Sequence, residues 1–231
     1  MLVKENLLGW VWDLFKTDKK KRMIMAIVST VVMGFGILLL SLSGMGVDPY
    51  TSMNMSIAPL LRLGFGTWQM IVNFVLIAAV LLSSRRKRIG AGTVFNMVGV
   101  GFVCDFCKNI LQTITKDFSL LGKLLLLLCG VVLLSFAASL FFTAGIGVGA
   151  YDALGFILEG RTKIKYKWCR VITDFAVIAV ALLAAGMKNI GAGTVITAFC
   201  MGPLIHFFNV TVSERLLLGS GDPGTRKVVS L

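Results

Sequence analysis

The chain has 231 residues, 57% of them hydrophobic and only 15% charged, with a net charge of +12 at pH 7 and a mean hydropathy of +0.88. A soluble domain carries about 25% charged residues, so this composition excludes an ordinary soluble fold and points to a bilayer. The positive charge does not require a nucleic acid partner, because lysine and arginine concentrated on cytoplasmic loops give a membrane protein the same total.

Met1–Arg22 comes first, amphipathic and then basic. Its "LLGWVWDLFK" puts Trp10, Trp12 and Phe15 where a headgroup layer would take them, and "TDKKKR" marks an aqueous end. It contains no small-residue cleavage site, so it reads as a retained segment rather than a secretory signal. Long apolar runs follow at about Met23–Leu42, Thr67–Ser84, Gly90–Ile110, Leu121–Phe142, Trp168–Gly186 and Gly191–Val212. Each is about the 17–25 residues that a membrane-crossing helix needs. Lipid leaves no solvent partner for backbone polar groups, so helices are the expected form. From Ser213 a polar tail containing "GSGDPG" is expected to be disordered.

A shift of 101 residues lays one half of the chain on the other without a gap. "SGMGVDPY" at Ser43–Tyr50 falls on "AGIGVGAY" at Ala144–Tyr151, and "IGAGTV" at Ile89–Val94 falls on the identical Ile190–Val195. Asn73 falls on Asp174, Gly101 on Gly202, and Asp105 on the single histidine, His206. A duplication follows, with membrane repeats at 23–112 and 123–213, an N-terminal segment at 1–22 and a tail at 214–231. In each repeat a long run is followed by a glycine break, a short segment and two more long runs. The short segments, Asp48–Leu61 and Gly149–Gly160, would reach about 18–21 Å as helices, less than the ~30 Å hydrocarbon core. They also carry Asp48, Ser52 and Asn54 in one and Asp152 and Glu159 in the other. The expected fold is therefore an all-α integral membrane protein of two inverted repeats. Each has three transmembrane helices and a short re-entrant half-helix after its first span. The basic N-terminus, "RRKR" at Arg85–Arg88, the Arg161–Arg170 cluster and the tail then all face the cytoplasm. Two spanning short segments would instead export "RRKR" in one tight loop, against the positive-inside rule.

Paired broken segments in an inverted repeat are where secondary transporters place a midplane site. Gly44, Gly46, Gly145 and Gly147 would let the backbone turn within the membrane. The alternative is that they serve tight turns or close helix packing. Asp48 before Pro49 reads as an N-cap, with Tyr50 just inside the helix. In the second repeat Gly149 replaces that cap, and Tyr151 and Asp152 sit at the helix start. Asp152 and Asp174 are candidates for substrate, proton or cation binding, because an ionisable group in a membrane helix should face a cavity or the bundle interior. Asn73 reads as an interhelical hydrogen-bond former. Asp105 and His206 are read either as a proton relay or as interfacial groups. Thr93 and Thr194 in "GAGT", with Asn96, offer hydroxyl and amide ligands, although small-residue helix packing explains the glycines better. Met45, Met53 and Met55 read as core rather than soft-metal ligands. Five cysteines, an odd number, argue against a disulfide framework, and the C-x-x-C of Cys104 and Cys107 falls on a membrane helix rather than near a redox fold. No nucleophile–base arrangement, metal-ligand spacing or cofactor motif appears, so no enzyme, metal or cofactor is expected.

These residues resemble a bacterial family. "GMGVDPY", "GFGTWQMIVNF" and "IGAGTVFNMVGVGFVCDF" are similar to the YczE/YitT group of multi-pass membrane proteins, across nearly all of the chain outside its termini. The second repeat departs from the pattern, with Gly149–Ala150 for Asp-Pro and Thr197 for Asn96. The resemblance implies a fold class and a bacterial inner-membrane location rather than a substrate. The function expected from the residues is a small-solute permease with a midplane site between the repeats. The alternative is a membrane scaffold or regulatory protein without transport. The lipid bilayer is the one certain partner; a small-molecule or ion substrate goes with the permease reading, and self-association is left open.

Overall fold

A computed structural model describes residues 17–82, 89–111, 118–162, 164 and 166–218. Among them the structure is helical and contains no strand. In chain order the helices are α1 (Thr17–Ser43), the short α2 (Pro49–Ile57) extended by a 3₁₀ turn at Ala58–Leu61, α3 (Phe65–Leu82) and α4 (Ala91–Leu111). Then come α5 (Leu120–Ala144), the short α6 (Ala150–Thr162), α7 (Tyr166–Ala185) and α8 (Ala192–Phe208). A π-helical turn at Asn209–Ser213 joins α8 to α9 (Glu214–Leu218).

Among the described residues five stretches are long and apolar enough to cross a membrane: Lys20–Ser43, Phe65–Leu82, Leu120–Ala144, Trp168–Ala185 and Ala192–Leu217. The sixth expected run is the helix α4, which carries Asn96, Asp105 and Lys108. Two boundaries move. The basic cluster, expected as the aqueous end of the Met1–Arg22 segment, is the first turn of α1, and the polar tail expected from Ser213 remains helical to Leu218. The aromatic N-terminal stretch, "RRKR" and the end of the tail lie outside the described residues.

The centre of the molecule is the pair α1 and α5. Gly36 lies against the backbone of Leu134 and Gly130 against Leu40, so the two helices run antiparallel and approach closely where side chains are absent. Arg22 Nη1, near the start of α1, donates to the carbonyl of Ala144 at the end of α5 at 3.0 Å. α4 packs beside α1, and α8 beside α5. Leu38, Leu40, Val100, Cys104, Leu127 and Leu134 form the buried core there, with Met45 and Met55 packed against it. Cys104 and Cys107 are free thiols in that core, so the C-x-x-C is a packing feature.

Around this centre the short helices cross over. α2 packs on α7 and α6 packs on α3, each on the long helix of the other repeat. α3 in turn packs on α4, where Gly66 meets Gly101 backbone to backbone. Asp105 on α4 completes that contact, its Oδ2 accepting from the Gly66 N–H at 2.7 Å. Asp105 is thus the cap of α3. It does not form a relay with His206, which is exposed on α8. Asp105→Ala is expected to cost about 0.5–2 kcal/mol, the usual worth of a lost N-terminal cap. Thermal unfolding in detergent reads this, and Asp105→Asn should recover much of the loss because its amide oxygen still accepts.

Candidate functional site

The glycine breaks do not float; each is clamped by the "GAGT" helix start of the other repeat. Gly92 N donates to Ile146 O at 3.0 Å, and Gly193 N donates to Met45 O at 2.7 Å. Both residues of each pair stand 101 positions from their counterparts. Thr93 Oγ1 accepts from Gly90 N and donates to Val148 O at 2.7 Å, while Thr194 Oγ1 accepts from Gly191 N. These threonines therefore cap α4 and α8, and Asn96 Nδ2 reaches Met33 Sδ at 3.2 Å. Gly46 (φ 98°) and Gly147 (φ 136°) are held in left-handed backbone against those helix starts. Gly44 (φ 63°) and Gly145 (φ 64°) end α1 and α5. On the first break a further strut comes from Asn189, whose carbonyl accepts from Ser52 Oγ at 2.9 Å and whose Nδ2 donates to Ser56 Oγ at 3.0 Å.

From the breaks the chain runs extended to the starts of α2 and α6, and there the two short helices meet. Tyr50 and Tyr151 stack with ring centroids 4.5 Å apart and planes 13° from parallel. Tyr50 Oη donates to Asn73 Oδ1, and Tyr151 Oη donates to Asp174 Oδ1, both at 2.7 Å. Asn73 and Asp174 are each the ninth residue of their helices, α3 and α7. The stack therefore lies about halfway along both long helices. Asp48 caps α2 by accepting from Thr51 N at 3.1 Å, as its sequence position predicts.

The two sides of the stack differ in charge. On the second-repeat side Arg170 Nη1 donates to Asp152 Oδ1, and its Nε lies 3.3 Å from Asp174 Oδ1. The same guanidinium sits 4.4 Å above the Tyr151 ring, a cation–π position. Asp48 is within electrostatic reach of both Arg170 and Asp174. On the first-repeat side the counterparts are Thr51, Gln69 and Asn73, all buried and all neutral. The site thus gathers Asp48, Tyr50, Asn73, Tyr151, Asp152 and Asp174, while the four glycines shape the chain that leads to it. Sequence reasoning missed Arg170, grouping it with the cytoplasmic cluster. The readable signal was its spacing: it stands four residues before Asp174, on the same helical face, and aligns with a polar Gln69. Among the described residues no group of three or more His, Cys, Asp or Glu is placed to hold a metal ion.

Several apolar spans around a buried polar centre define a multi-pass helical membrane protein. The chain belongs to a family of unknown function, DUF6198, whose model matches residues 20–210. It is 26% identical over 179 residues to the uncharacterized membrane protein YczE of Bacillus subtilis (strain 168), covering 77% of this chain and 80% of the relative. An uncharacterized protein of Haemophilus influenzae is 26% identical over 202 residues, covering 87% and 88% of the two chains. The protein YyaS of Bacillus subtilis is 25% identical over 192 residues, covering 80% and 94%. The YczE likeness read from the motifs is thereby shown; none of these three carries the YitT name. No solved structure matches.

Proposed function

We propose that the chain is a small-solute permease of the bacterial inner membrane, working around the stacked tyrosines. The observation that carries this is the meeting of two short-helix N-termini, each halfway along a long helix and each beginning with a tyrosine bonded to it. An inverted repeat is supported by the antiparallel run of α1 and α5, which are counterparts at the 101-residue offset. Re-entry is supported by the path of α2. It begins beside Asn73, at mid-depth of α3, and its 3₁₀ extension ends next to the start of α3. The counterpart α6 begins beside Asp174 and ends at Thr162, shortly before the start of α7. A break of this kind in lipid is tolerated where it is buried in protein or lines a watery cavity. The basic first turn of α1 and the basic residues between Arg161 and Lys167 support cytoplasmic termini by the positive-inside rule.

With every group ionised, Asp48, Asp152 and Asp174 contribute −3 and Arg170 +1, a sum of −2. The helix N-termini offset part of this at Asp48 and Asp152. A cation or a proton is the species that enters such a site at least electrostatic cost. Proteoliposomes carrying the protein, challenged with a panel of small organic cations, amino acids and alkali-metal ions, test the assignment. Internal pyranine reports accompanying protons. Solute-dependent uptake or proton flux is expected, falling at least tenfold in Asp174→Asn and in Asp152→Asn. Flux unchanged in both variants, or no flux above empty liposomes for any solute, sinks it.

A further inference from the structure

The repeats share an alignment but not a packing. In the first repeat α3 is sealed onto α4 along three successive turns: Asn73 Nδ2 reaches Met97 O at 3.5 Å, Gly66 meets Gly101, and Asp105 caps Gly66 N. A methyl group on Gly101 would stand 2.6 Å from Gly66 Cα. The counterparts of Met97, Gly101 and Asp105 are Ala198, Gly202 and His206, in register on α8. All three are exposed, and a methyl group on Gly202 would meet nothing within 4 Å. Among the described residues α7 and α8 have no packing interface comparable to that of α3 with α4. The sequences differ at the matching position, where the first repeat has Gly66 and the second has a lysine.

Arg170 and Asp174 stand on the face of α7 that corresponds to the sealed face of α3, bearing Gln69 and Asn73. Their side chains are 31% and 14% exposed, and that of Asp152 is 21% exposed, whereas Gln69 and Asn73 are 5% and 3% exposed as residues. A guanidinium and two carboxylates at mid-helix depth are not left open to hydrocarbon; they face water or each other. We propose that the gap between α7 and α8 is a water-filled vestibule leading to the Arg170 cluster, and that the contact of α3 with α4 is its closed counterpart on the first-repeat side. The wall at Ala198 and Gly202 is small because solute passes there. The proposal deepens the permease reading by naming the way in, and its test reads water access rather than transport.

The test is thiol labelling. In a Cys129→Ala/Cys200→Ala background, which leaves the three buried thiols in place, single cysteines are introduced at Ala198, Gly202, Met97 and Phe74. Phe74 is 66% exposed on the outer face of α3 and serves as the lipid-facing control. A charged, membrane-impermeant methanethiosulfonate reagent reacts with a thiolate, which forms in water and not in hydrocarbon. Ala198→Cys and Gly202→Cys are expected to label at least ten times faster than Phe74→Cys, and Met97→Cys no faster than that control. Gel filtration selects variants that remain monodisperse, and the conservative Ala198→Cys keeps the test alive if Gly202→Cys fails to fold. Labelling of Ala198→Cys at the Phe74→Cys rate overturns the vestibule. Equal rapid labelling of Met97→Cys overturns the sealed counterpart. Fast labelling in a protein that moves no solute leaves the vestibule standing and removes the permease.

Discussion

Arg170→Gln is expected to destabilise the folded protein by about 3 kcal/mol, and a triple variant, Asp152→Thr/Arg170→Gln/Asp174→Asn, is expected to recover most of that loss. Removing one member of a buried ion network leaves its partners charged and unpaired, at a cost of about 3–5 kcal/mol. Arg170 is partly exposed, so solvent places the effect at the lower end. The loss includes the contacts to Asp152 and Asp174 and the cation–π contact over Tyr151. The triple variant gives the second side the neutral residues of the first, where Thr51, Gln69 and Asn73 are buried, and leaves Asp48 in place as the cap of α2. Replacing a whole ion network by neutral groups of similar volume is often neutral or stabilising. Denaturant titration in detergent measures both variants. Arg170→Gln as stable as the parent would show that the cluster is solvated well enough to need no pairing. A triple variant no better than the single one would show that the two repeats do not share a tolerance for the neutral set. If the site serves transport, the triple variant is stable and silent.

Much of the fold was legible because lipid constrains helices by length and hydropathy, which a linear sequence displays. Five of the six expected runs became spans with ends shifted by a few residues, since apolar composition alone marks them. α4 was legible as an apolar run, but the service its Asp105 gives to α3 is invisible without knowing which helices pack together. The glycine breaks were equally legible, being a pattern of identity at an offset of 101 residues. What the sequence hid was which repeat each motif serves. "GAGT" reads as a local packing motif, yet its hydroxyl and amides hold the break of the other half, a contact spanning 55 residues between Thr93 and Val148. Arg170 was hidden for a related reason. A basic residue near a helix end reads as a cytoplasmic charge, and only the placement of Tyr151 and Asp152 beside it shows that it turns inward.

Gly46→Ala and Gly147→Ala are each expected to lower stability by about 2–5 kcal/mol, with the larger share of damage at the other repeat. Two physical terms add. A residue with a Cβ at positive φ costs about 1–2 kcal/mol, and both positions lie in that region. Overpacking adds about 1–3 kcal/mol where the surroundings cannot yield. Here they cannot: a methyl group on Gly46 would stand 2.6 Å from Gly191 N and 2.7 Å from Thr194 Oγ1, and one on Gly147 would stand 2.9 Å from Gly90 N and collide with Thr93 Oγ1. Those atoms belong to helix starts already hydrogen-bonded in place, so relief requires α8 or α4 to lose its cap. The damage should therefore appear as faster amide exchange at Gly193–Val195 for Gly46→Ala, and at Gly92–Val94 for Gly147→Ala, measured by hydrogen–deuterium exchange in detergent. Gly44→Ala is the informative comparison. It has positive φ but nothing within 4 Å of its added methyl, so only the backbone term remains. Equal losses at Gly44 and Gly46 would mean that the clamp between repeats contributes nothing. A larger loss at Gly46, with exchange released on α8, would show that each half of the chain holds open the break in the other.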